Sequence, residues 1–133
     1  SMPLLSVKIL KTINLDFAEM RLREDGIVEF WGNNALDGLS INRIETLYVT
    51  MITLTENKPS PLFVVTINHI QLNDEEKNMI AAKLPSCISA CAIKEENTMI
   101  RFLVHTFNYL YKPASPIKMF KTEEEAIGWL KAF

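Results

Sequence analysis

The chain has 133 residues, 48% of them hydrophobic, and 14 Lys and Arg against 16 Asp and Glu give a formal net charge of −2. That length fits one domain with a real core, and the apolar content is too high for disorder. The charge balance lacks the basic stripe of a nucleic-acid-binding surface. No window approaches the roughly 20 apolar residues of a membrane span, so no membrane span is expected. The start MPLLSVKILK has neither a basic leader region nor a small-residue cleavage site. With only Cys87 and Cys91 present, these features point to a reducing cytoplasm. Ser1 is set aside as an added residue, and a single domain is expected over residues 2–133.

In chain order, Leu4 to Ile13 is apolar and β-branched enough for a strand, though weakly bounded. Phe17 to Leu22 and Ile27 to Trp31 flank Asp25-Gly26, a strong hairpin signal, and Gly32-Asn33-Asn34 ends the pair. Ser40 caps a helix expected to reach about Thr55, with Ile41, Ile44, Leu47, Tyr48, Met51, Ile52 and Leu54 on one arc. Lys58-Pro59-Ser60-Pro61 stops it. Leu62 to Asn68 reads LFVVTIN, a run suited to a central strand covered on both faces. Asn73 with Glu76 has the form of a capping box and opens a helix to about Lys83, which Pro85 is expected to break. Ile88 to Lys94 is a strand with small residues that permit close packing. Asn97 or Thr98 starts a long helix ending near Tyr111, where Lys112-Pro113 and Ser115-Pro116 follow. Ile117 to Phe120 is a short strand. Thr122 and Glu125 form a second capping box, and Ala126, Trp129, Leu130 and Phe133 then recur at helical spacing. A β-hairpin followed by alternating helices and strands predicts an α/β fold with parallel strand pairs and helical cover.

The tail IKMFKTEEEAIGWLKAF, the Phe- and Leu-rich helix before it, the hairpin LREDGIVEFWG and the strand LFVVTIN together resemble the bacterial STAS/CRAL-TRIO-like proteins. These are often called SpoIIAA-like, and the likeness is to an uncharacterised branch common in Bacteroidetes. It covers roughly residues 17–133. It implies a mixed sheet of four to five strands with helical cover, in a protein of regulatory or unknown function, and many relatives look like dimers. One departure matters. Anti-sigma-factor antagonists of that superfamily carry a phosphorylatable Ser after the central strand, whereas residues 68–74 here, NHIQLND, hold no Ser or Thr. The phosphoswitch and its anti-sigma partner therefore do not carry over.

Catalytic equipment is hard to assemble from these residues. His69, just past the central strand, sits where open α/β sheets tend to bind ligands, so it is a ligand or base candidate beside the plainer reading of an exposed loop histidine. His105 shares a polar stripe with Arg101 and Asn108, which reads as a solvated face. Cys87 and Cys91 lack the further ligands a metal needs and the base a nucleophile needs, so both read as packing residues. Asp74 to Glu76 and Glu123 to Glu125 complement helix dipoles. Four scattered glycines make no phosphate loop. No catalytic residue, metal or cofactor is expected.

The Thr98 to Tyr111 helix is the exception to this plainness. Ile100, Leu103, Val104, Phe107, Leu110 and Tyr111 make an ordinary core stripe, but Met99, Phe102, Thr106 and Tyr109 widen it to about twice the ~100° that one buried face requires. Three readings stand: cover by the C-terminal helix and N-terminal segment, an isologous homodimer contact, or one wall of an apolar pocket of the kind the CRAL-TRIO resemblance implies for lipids. Met51, Phe107 and Trp31 join Met99 and Phe102 as pocket liners in the last. The function expected is a non-enzymatic regulatory or protein-interaction module, a homodimer with room for an unidentified protein partner. The alternative is a binder of a small apolar, lipid-like ligand.

Overall fold

A computed structural model describes residues 7–66 and 71–133. In chain order the elements are β1 (Ile9–Asn14), β2 (Ala18–Arg23), β3 (Val28–Gly32), α1 (Ile41–Thr55), β4 (Ser60–Thr66), α2 (Asp74–Cys87), β5 (Ile88–Lys94), α3 (Thr98–Tyr111), β6 (Ile117–Phe120) and α4 (Glu123–Leu130). The strands form one mixed sheet in sequential order from β1 to β6. β1 to β3 are antiparallel neighbours, and β3 to β6 pair parallel.

The sheet therefore has six strands, not the four to five that the resemblance implied. The weakly bounded N-terminal segment makes the difference. Its residues Ile9–Asn14 pair along β2, with a bulge between Ile9 and Lys11, and add an antiparallel edge. The hairpin at Asp25-Gly26 forms as expected. Arg23 N–H donates to the Ile27 carbonyl (2.9 Å) and Gly26 N–H to the Arg23 carbonyl (3.0 Å). Gly26 takes φ +88°, the left-handed geometry that closes a three-residue hairpin loop.

Polar caps fix the helix starts. Ser40 accepts from Arg43 N–H, Asn97 from Met99 and Ile100 N–H, and Thr122 from Glu125 N–H. Asn73 and Glu76 close a reciprocal capping box. Pro85 does not end α2, which continues to Cys87. Pro85 has no N–H to offer the Ala81 carbonyl, but only Ser86 and Cys87 follow it in the helix, and the Ser86 hydroxyl donates to the Lys83 carbonyl at 2.6 Å.

The sheet has two unlike faces. Strands are added in one direction, and parallel crossovers share one hand, so α1, α2 and α3 lie on the same face. There Met20, Val28, Phe30, Val64, Ile88, Cys91 and Ile93 meet Ile44, Tyr48, Met51, Leu54, Leu84 and Cys87. α4 follows the last strand and folds back onto the opposite face. Its Ala126, Ile127 and Leu130 pack on Ile27, Phe63, Ala90 and Ala92. β4 is covered on both sides, as its apolar run suggested, with Phe63 under α4 and Val64 under α1 to α3.

Candidate functional site: an apolar cavity beneath a raised helix

α1, α2 and α4 each approach at least one strand closely, but α3 packs closely only against α2. None of its 14 residues is buried. Tyr111, in its last turn, has its hydroxyl 3.5 Å from Asp74 Oδ1 in the first turn of α2. The end of α3 thus meets the start of α2. A bulky floor of Ile88, Cys91 and Ile93 on this face of β5 helps to keep it off the sheet.

The gap holds an apolar cavity of about 630 Å³, open on one side. This lies within the size range of small-molecule sites. The floor is Leu62, Val64, Ile88, Cys91, Ile93 and Ile117. α1 supplies Ile44, Leu47, Tyr48 and Met51, and Met20 and Phe30 close the side toward the hairpin. α3 forms the roof with Met99, Ile100, Leu103, Val104, Thr106, Phe107, Leu110 and Tyr111. Met99, Leu103 and Leu110 line the cavity and yet are 60%, 47% and 64% exposed, which places them at its rim.

The expected site set is split by this geometry. Met99 and Thr106 line the cavity, whereas Phe102 and Tyr109 do not and are largely exposed. Among the other liners expected, Met51 and Phe107 are in place and Trp31 is not. Trp31 belongs to a charged lattice on the opposite face of the hairpin. There its indole donates to Glu29 (2.8 Å), Arg21 stacks on its ring (4.7 Å), and Arg21 pairs with Glu19. Buried Arg23 is bidentate to Asp25 (3.1 and 2.9 Å) and also reaches Glu29 (3.2 Å). His69 lies outside the described residues.

The polar stripe of α3 is not simply a solvated face. His105 is exposed, but half-buried Arg101 donates to the Glu95 carbonyl (3.4 Å) and half-buried Asn108 to the Ile117 carbonyl (3.0 Å). These bonds tether the helix at the edge of β6 and leave its apolar arc turned partly to solvent.

Sequence reasoning missed Gln71 and Lys77, which line one part of the cavity, and read Tyr111 beside them only as part of the core stripe of α3. Lys77 was legible in principle, because it stands at i, i+3, i+7 with Ile80 and Leu84, in register with the apolar stripe of α2. Its side chain makes no hydrogen bond or ion pair among the described residues. Burial pushes the Cys91 thiol up to about 12. Burial also raises the Cys87 thiol and the Tyr48 hydroxyl, the latter with help from the two thiols. The Tyr48 hydroxyl lies 3.4 Å from the Ile80 carbonyl. Such thiols are neutral and poor nucleophiles at neutral pH. No group of three or more His, Cys, Asp or Glu among the described residues could hold a metal ion, and no helix among them is long and apolar enough to cross a membrane.

Residues 20–133 match a family described as a domain of unknown function (DUF7793). The chain belongs to that family. Every residue lining the cavity, from Met20 to Ile117, falls inside the DUF7793 match, and β1 falls outside it. No curated protein and no solved structure matches the chain.

Proposed function

We propose that this domain is a non-enzymatic binding module that holds a small apolar molecule between the sheet and α1 to α3, with α3 as its cover. The observation that carries this reading is the apolar cavity of about 630 Å³ beneath a helix that buries no residue of its own. An amphipathic helix gains most of its stability by burying its apolar face, so α3 would be stabilised by an occupant. A SpoIIAA-like architecture over residues 2–133 is part of this reading, supported by the run of strand–helix units from β3 to α4 in sequential sheet order. Native mass spectrometry of the purified chain is expected to reveal a lipid-sized adduct, and the neutral dye Nile red should bind with enhanced emission. Ile80→Trp, which fills the cavity, should abolish both. A chain that carries no adduct and leaves the dye unaffected would refute the proposal.

The outer arc of α3 favours a second reading, a self-associating interaction module. Phe102 and Tyr109 are 63% and 73% exposed on it, and apolar side chains grouped on one surface are common at interfaces. Sedimentation equilibrium should then give a dimeric mass that Phe102→Glu lowers to the monomer. A monomer at high wild-type concentration would dismiss the second reading and leave the first intact.

A further inference from the structure

We infer that the occupant of the cavity is a single-chain amphiphile with an anionic head, in its simplest form a long-chain carboxylate, seated with that head on Lys77. The inference rests on the apolar-ligand reading and adds the chemistry of the ligand to it. Apart from Tyr48 on α1 and Thr106 in the roof, the polar groups of the lining gather around the start of α2. Gln71 precedes α2, Lys77 stands at its first turn, and Tyr111 is brought there by its contact with Asp74. The walls from β2, β3 and α1 contribute Met20, Phe30, Ile44 and Met51, which offer no charge.

Lys77 is the one charged side chain lining the cavity among the described residues. Three carboxylates stand with it in the first turn of α2: Glu76 closes the capping box on Asn73 (2.8 Å), Asp74 meets the Tyr111 hydroxyl, and Glu75 is exposed. All three are adverse to an anion, but none of them lines the cavity. An ammonium beside an apolar void, without a partner among the described residues, discriminates between heads. A carboxylate gives it a charge-assisted bond, an alcohol gives a weaker one, and an alkylammonium is repelled. The polar end thus sets orientation, while the apolar walls hold the chain.

Displacement of Nile red from the full chain by dodecanoate, dodecanol and dodecylammonium tests this. Dodecanoate should bind roughly tenfold tighter than dodecanol, with dodecylammonium the weakest. Lys77→Met should erase the carboxylate margin and leave the dodecanol Kd within about twofold, whereas Lys77→Arg should keep most of the margin. Across shorter carboxylates, affinity should rise about fourfold per methylene until the cavity is full. Equal affinities for carboxylate and alcohol, or a margin that survives Lys77→Met, would overturn the head-group assignment while dye binding still upheld an apolar site. Failure of Nile red and all three amphiphiles to bind would overturn both.

Discussion

α3 and α4 are both amphipathic helices that cover the same sheet, and they cover it in opposite ways. α4 has eight residues, three of which are wholly buried: Ala126, Ile127 and Leu130. α3 has 14 residues and buries none. The strand beneath them accounts for part of the contrast. On the α4 side β5 presents Ala90 and Ala92, fully buried and too small to hold a helix away, with Phe63 from β4 beside them. On the α3 side the same strand presents Ile88, Cys91 and Ile93. Alternation from Ala90 to Ile93, with Ile88 turned out of step beside an irregularity in the pairing with β4, builds a close-packed face and a stand-off face from one heptapeptide, ISACAIK. A long apolar stripe in sequence does not report how tightly the helix packs; the size of the residues opposite it does.

The largest expected effect follows from that contrast. Leu130→Ala removes a wholly buried side chain from a close-packed face and should cost about 2–5 kcal/mol of stability. Leu110→Ala, the same chemical change at the rim of the cavity, should cost under about 1 kcal/mol, because the side chain is already mostly in water. Urea unfolding of the two variants measures both. Comparable losses at the two sites would mean that α3 is packed as firmly as α4.

How much of this could be read beforehand depends on the kind of signal. Elements announced by local chemistry were legible: the Asp25-Gly26 hairpin, the caps at Ser40, Asn73 and Thr122, and the excessive apolar arc of α3. Each depends on residues a few positions apart. Three features depend on distant neighbours and were legible only in part or not at all. The strand expected from Leu4 to Ile13 forms as β1 over Ile9–Asn14, but its place at the edge of the sheet is defined by its pairing with β2. Pro85 sits in the last turn of α2 with only Ser86 and Cys87 after it, so its breaking tendency has little helix left to act on. The split of Met99 and Thr106 from Phe102 and Tyr109 follows helical periodicity, since the first pair borders the core stripe and the second lies further round the helix, but where the cavity's rim falls on that arc depends on the packing of α3. The candidate site was thus visible as a helix with too much apolar surface, but not as a cavity with a polar end.

A smaller and more selective effect should appear at high pH, and it probes whether the stand-off face is dry. Cys91 faces the cavity while its neighbour Ala92 faces α4. Burial pushes the Cys91 thiol from the ordinary 9.0 up to about 12. Between those values the unfolded chain has lost the thiol proton and the folded chain keeps it. The unfolded state then binds fewer protons, so stability falls as pH rises from about 9 and levels only near 12. At pH 10 the loss from this group is on the order of 1 kcal/mol. Cys91→Ala should flatten that part of the profile of unfolding free energy against pH. The thiol should also resist modification by a disulfide reagent at pH 8 until the chain is unfolded in urea. If water filled the cavity beneath α3, Cys91 would titrate near its ordinary value, Cys91→Ala would leave the profile unchanged, and modification would be prompt. Those results would turn the loosely roofed apolar site into a solvent cleft, so one titration separates a face that stands off because it is made to hold something from a face that is merely poorly packed.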